Sequence, residues 1–111
     1  MAMNNELRLI GNIVKDPDVK ESESGGWAII RLAANTGKKD KEETLFMDVK
    51  LFSSAYRDFE YHSLAKGDRV VVSGSLKQSD YEDKDGNKRV SYALYADYVL
   101  KVNKVEEKKD F

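Results

Sequence analysis

The chain has no cysteine, one proline and one histidine among its 111 residues. Without cysteine there is no disulfide scaffold and no thiolate metal site, which fits a reducing compartment and makes the cytoplasm the expected location. The lone His62 has no serine, cysteine or metal-spaced partner near it, so it reads as a surface helix residue. Asp80, Glu82, Asp83 and Asp85 crowd together but lack the spacing and closing glutamate of a calcium loop. Asp16 and Asp18 flank Pro17 and read as a turn, not as paired catalytic carboxylates. No apolar run approaches the ~18–20 residues of a membrane helix, and no basic segment followed by an apolar stretch marks the N-terminus. Charge of one sign is missing too: 19 Lys and Arg face 20 Asp and Glu. Any basic footprint must therefore come from local segregation of charge. The sequence predicts no enzyme, no cofactor, no metal and no membrane partner.

What remains is enough for one compact domain, with 41% hydrophobic residues against 35% charged ones. Residues 1–102 are expected to form it, leaving 103–111 as a short charged tail. A first strand is expected over residues 5–15, with Leu7 and Leu9 alternating against Arg8 and Ile10, and a bend at Gly11. Residues 21–26 read as a turn. A second strand over 27–35 sends Ala28, Ile30 and Leu32 one way and Trp27, Ile29 and Arg31 the other. A charged loop with Lys38, Lys39 and Lys41 leads to a third strand over 44–52. Ser53 or Ser54 is placed to cap a helix reaching about Ala65, with Tyr56, Phe59 or Glu60, and Leu64 as its stripe. A fourth strand over 69–77 carries Val70, Val72 and Leu76 on one face, with curvature at Gly74. The Asp85-Gly86-Asn87 turn joins hairpin arms over 77–83 and 88–102. Strict alternation there puts Tyr92 and Tyr98 on one face and Tyr95 on the other.

Three strands, a helix and two further strands, with bend-inducing glycines, predict an all-β fold. It is the layout of a five-stranded oligonucleotide/oligosaccharide-binding barrel (OB-fold) with its helix between strands three and four. The strand over 44–52 holds the chemistry. Met47, Val49 and Leu51 form an ordinary core stripe, while Phe46, Asp48, Lys50 and Phe52 share the opposite face. Two rings flanking a lysine away from the core suit a surface for stacking flat, anionically tethered bases. Packing at the rim of a core is the ordinary role of such rings, and a generic β-rich α+β domain would show the same alternation.

Four segments in order carry a resemblance to the bacterial and phage single-stranded DNA-binding (SSB) family. They are Leu9-Ile10-Gly11-Asn12-Ile13 through Asp18, Ala28 through Asn35, Phe46 through Phe52 with Leu64 through Val70, and Val72 through Lys77 leading to Tyr81. The resemblance implies sequence-tolerant binding of single-stranded DNA in replication, recombination or repair. It also implies a homo-oligomer, with a tetramer favoured and a dimer allowed. It places Phe46 and Phe52 at the family's stacking positions on strand three and Tyr81 at another, before the last turn. Departures are visible. Gly37-Lys38-Lys39-Asp40 replaces an aromatic common in the loop after strand two, Met47 replaces a frequent histidine, and Ser79-Asp80 replaces basic residues. Weaker binding per subunit or a smaller site is the expected consequence. Residues 103–111 keep a terminal Phe111 but lack the acidic tip by which the family recruits replication and repair enzymes, so that role does not carry over.

For the phosphodiester backbone the expected contacts are Lys50, Arg31, Lys77, and Lys88 or Arg89, with Lys38, Lys39 and Lys41 in a loop able to close over the strand. Trp27 shares a face with Arg31 and is either a stacking patch or a half-buried anchor. Two other functions compete on this barrel: a primosome-type protein-interaction module, and a small hydrolase or carbohydrate binder.

Overall fold

The computed structural model describes residues 4–23, 25–37 and 41–102. Six strands and one helix follow in order: β1 (Leu7–Ile13), β2 (Asp18–Ser22), β3 (Gly25–Thr36), β4 (Glu43–Leu51), α1 (Ser53–His62), β5 (Arg69–Glu82) and β6 (Lys88–Lys101). The strands run side by side as β1-β5-β6-β4-β3-β2, and β1 also pairs with β3. That last pairing, Asn12 with Ala33 and Ile13 with Leu32, closes five strands into a barrel. Its circuit β1-β3-β4-β6-β5 is antiparallel except at β4–β6. The helix lies in the chain between the third and fourth barrel strands, as an OB-fold requires.

Alternation builds the core. Ala28, Ile30 and Leu32 of β3 and Val49 and Leu51 of β4 are fully buried, and Ile13, Val70, Val72, Leu94 and Val99 meet them from the other strands. The helix adds Ala55, Tyr56 and Phe59 to the same cluster and packs mainly against β6. At Gly11 and Gly74 the wall is too tight for a side chain: a Cβ would run into the backbone of Ala33 or of Tyr95.

Several local expectations are corrected. The segment 21–26 read as a turn instead holds the end of β2 and the start of β3: β2, a fully exposed strand, pairs with β3 from Asp18–Ile29 to Ser22–Gly25. Its sequence shows no apolar alternation because neither face is buried, so its stability comes from pairing. The fourth strand and the first hairpin arm are one continuous strand, β5. Neither Ser53 nor Ser54 caps the helix: Phe52 is the N-cap residue, without a side-chain bond, and the Ser54 hydroxyl donates instead to the Asp97 carbonyl at 3.3 Å. The helix ends at His62, where Ser63 takes a left-handed conformation. In β6, Ser73 pairs with Tyr98 while Gly74 pairs with Ala96, so Asp97 is an extra residue. This bulge reverses the alternation. Tyr98 therefore shares the outward side with Tyr95, and Tyr92 lies on the other.

Candidate nucleic-acid interface

Residues paired directly across neighbouring strands project from the same side of the sheet. The register thus defines one outward face across four strands. It holds Trp27, Ile29, Arg31 and Ala33 on β3 and Phe46, Asp48 and Lys50 on β4. It continues through Ala93 and Tyr95 on β6 to Ser75, Lys77, Ser79 and Tyr81 on β5. Phe52 joins it at the junction of β4 and α1. Burial of Leu51 on one side and of Ala55 and Tyr56 on the other turns the Phe52 ring outward.

Three clusters lie on this face. In the first, Arg31 and Asp48 are register partners on β3 and β4, and Arg31 Nη1 lies 2.8 Å from Asp48 Oδ1. The same guanidinium sits 5.8 Å from the centre of the Phe46 ring, which is 52% exposed. Ala33, opposite Phe46, is too small to cover that ring.

The second cluster is a row of three rings. Trp27 and Phe52 stack with centroids 5.2 Å apart and planes inclined by 19°, and Phe52 and Tyr95 stack at 5.9 Å and 18°. Two ammonium groups approach Tyr95: Lys77 Nζ is 4.4 Å and Lys50 Nζ 5.3 Å from the ring centre. Lys50 Nζ also lies 3.4 Å from the Tyr95 hydroxyl. Lys20 stands opposite Trp27 in the β2–β3 register and pairs with Asp18 at 3.5 Å.

The third cluster is on the β5–β6 hairpin, where Tyr81 is 52% exposed and faces Arg89. Asp80, Tyr81, Glu82, Lys88, Arg89 and Val90 line an open groove of about 460 Å³. Asp83 organises the hairpin end. Its carboxylate accepts the N–H groups of Asp85 and Asn87 at 2.9 Å each and pairs with Arg89 Nε at 2.9 Å. The Asn87 amide first, and the Arg89 guanidinium second, hold the Asp83 carboxyl below the ordinary aspartate pKa.

Phe46, Phe52, Trp27, Lys50, Arg31, Lys77 and Tyr81 are thus gathered on one surface, with Arg89 at its hairpin end and Lys88 beside it in the groove. Lys38, Lys39 and the tail 103–111 lie outside the described residues. Sequence reasoning missed Lys20, which lies on the unforeseen strand β2, and Tyr95, whose partners come from β4 and β5. Among the described residues, no group of three or more His, Cys, Asp or Glu is arranged to hold a metal ion, and no helix is long and apolar enough to cross a membrane.

The circuit of strands with its helix defines an OB-fold. A family model described as the single-strand binding protein family matches residues 4–103. The chain belongs to the single-strand binding protein family. It is 36% identical over 101 residues to a single-stranded DNA-binding protein of Corynebacterium glutamicum, covering 84% of this chain and 44% of that protein. It is 35% identical over 107 residues to single-stranded DNA-binding protein 2 of Streptomyces coelicolor, covering 89% and 53% respectively. The chain therefore spans about half the length of these curated relatives. Among solved structures, the small single-stranded DNA-binding protein of Streptomyces coelicolor superposes with a TM-score of 0.72 at 25% identity, covering 90% of this chain and 96% of that one. The SSB of Plasmodium falciparum, in a complex with ssDNA, shares the fold at a TM-score of 0.76 and 22% identity, covering 93% of this chain and 98% of that one.

Proposed function

We propose that this chain binds single-stranded DNA with little regard to sequence and coats exposed strands during replication, recombination or repair. The observation that carries this reading is the single outward face on which exposed rings alternate with cationic side chains, in a chain whose relatives are named for single-stranded DNA binding. Every base has a π-face, so ring stacking tolerates sequence, while Lys and Arg follow the phosphates. Phe46 and Tyr81 offer open rings, and Phe52 acts through the row it centres. Lys50, Lys77 and Lys88 supply charge, while Arg31 and Arg89 must first leave a carboxylate. Lys38 and Lys39 extend this basic set. Residues 1–102 act as the binding domain. No catalytic step, cofactor or metal is required, and the cytoplasm is the compartment in which such a strand is met.

A homo-oligomer belongs to the same reading. Over Leu7–Ile10, the edge of β1 away from β5 has no strand partner among the described residues, which invites pairing with another copy. Ile10, Tyr98 and Leu100 are exposed on the adjoining outward face. A tetramer is favoured over a dimer on family grounds.

Trp27 is the only tryptophan and sits in the ring row, so its fluorescence reports on the face. Titration with oligo-dT should quench it, and duplex DNA of equal length should not. Unchanged emission together with unchanged anisotropy of a labelled oligo-dT would overturn the proposal in favour of the protein-interaction module.

A further inference from the structure

We propose that Tyr95 is a base-stacking platform and that Lys77 is its displaceable cover. This deepens the single-strand-binding reading and rests on it. Strand order is the starting point, because β4 lies between β3 and β6 and β5 lies beyond β6. Neighbouring strands are ~4.8 Å apart, so rings standing on β3, just past the end of β4 and on β6 meet as offset stacks. The near-parallel pairs Trp27–Phe52 and Phe52–Tyr95 have this geometry. Phe52 consequently has an aromatic neighbour on each side and presents an edge to solvent. A base meeting this row face-on must stack at one of its ends.

The Tyr95 end is the prepared one. Its register partner on β5 is Ser75, whose side chain is too short to cover the ring. The exposed Lys77 reaches nearest, with Nζ 4.4 Å from the ring centre, against 5.3 Å for Lys50 Nζ. The ring is held at its far end by Lys50, whose ammonium lies 3.4 Å from the phenol oxygen. A single cation over a half-buried ring is a weaker contact than a stacked base. An arriving base therefore displaces Lys77, and the freed ammonium is already beside the phosphate linked to that base. Phe52 is a positioning residue that braces Tyr95 from behind.

The test measures anisotropy of a labelled oligo-dT, and of the same strand with contiguous abasic sites, against wild type, Tyr95→Leu, Tyr95→Phe and Lys77→Gln. Tyr95→Leu should weaken oligo-dT binding roughly 5- to 150-fold, while Tyr95→Phe stays within a few-fold of wild type. The loss should shrink on the abasic strand, which a merely structural role would not produce. Lys77→Gln should lower the salt slope by about 0.7. If Tyr95→Leu fails to fold, the wild type answers through the Tyr95 ring protons, which should shift upfield with oligo-dT and not with the abasic strand. Equal binding by Tyr95→Leu and wild type, equal losses on both strands, or unmoved ring protons would overturn the inference while leaving the wider function standing. No binding by the wild type would remove both.

Discussion

Arg31 and Asp48 face each other across β3 and β4, and the guanidinium is bonded to the carboxylate at 2.8 Å while it lies over the Phe46 ring. A cation in the middle of the proposed DNA track is thus neutralised before any strand arrives. A phosphate must compete with Asp48 for it. An exposed pair of this kind contributes only about 0–1 kcal/mol to folding, so its removal should leave the fold intact. Asp48→Asn is expected to raise oligo-dT affinity several-fold and to steepen the salt slope by about 0.7 as Arg31 becomes a free contact. A salt titration followed by anisotropy checks this. Unchanged affinity would mean that Arg31 never leaves its partner.

Phe46 and Ile30 lie on opposite sides of the same wall and should separate binding from stability. Phe46→Ala removes a half-exposed ring and is expected to cost about 1–3 kcal/mol in oligo-dT binding, with little change in thermal midpoint. Ile30→Ala empties a fully buried site and is expected to cost about 2–5 kcal/mol of stability. Paired melting and binding curves test both. A large stability loss in Phe46→Ala would assign that ring to packing.

Gly74 sits beside the β6 bulge, where a Cβ would collide with the backbone of Tyr95 and Ala96. Gly74→Ala is expected to lose about 1–3 kcal/mol through overpacking and to lower the thermal midpoint by several degrees. It should also weaken DNA binding, because Tyr95 is carried by the displaced segment. Wild-type melting behaviour would contradict the tight crossing.

The hairpin end should loosen in acid. Asp83 has its pKa lowered, chiefly by the Asn87 amide and then by Arg89, so its ionised form is the one the fold favours. Its contribution is fully present above the unfolded aspartate pKa and is lost as pH falls through the lower folded value. Amide shifts of Asp85 and Asn87, followed by NMR from neutral pH downward, should change together at a midpoint below that of an ordinary aspartate. A midpoint at the ordinary value would show that the two amide bonds are not held in solution.

Much of this arrangement was legible in the residues because alternation reports burial. The stripes through Ala28, Ile30 and Leu32 and through Val49 and Leu51 are buried as their pattern indicates. The outward positions of Phe46, Lys50 and Phe52 follow from the same period of two. Alternation is silent where neither face is buried, which is why β2 escaped notice. It fails at the Asp97 bulge, where one inserted residue reverses the side on which Tyr98 stands. It also says nothing about neighbours distant in sequence. Tyr95 meets Phe52 and Lys50 only through the parallel β4–β6 pairing, and no local pattern encodes that contact. The bonding of Arg31 to Asp48 needed the β3–β4 register for the same reason.

The most direct measurement is an NMR map of the full chain titrated with oligo-dT. Shifts should concentrate at Arg31, Phe46, Lys50, Phe52, Lys77, Tyr81 and Tyr95, leaving Ile10, Val71 and Leu100 on the β1–β5–β6 surface unmoved. Shifts centred on that second surface, with the ring-bearing face silent, would contradict the account.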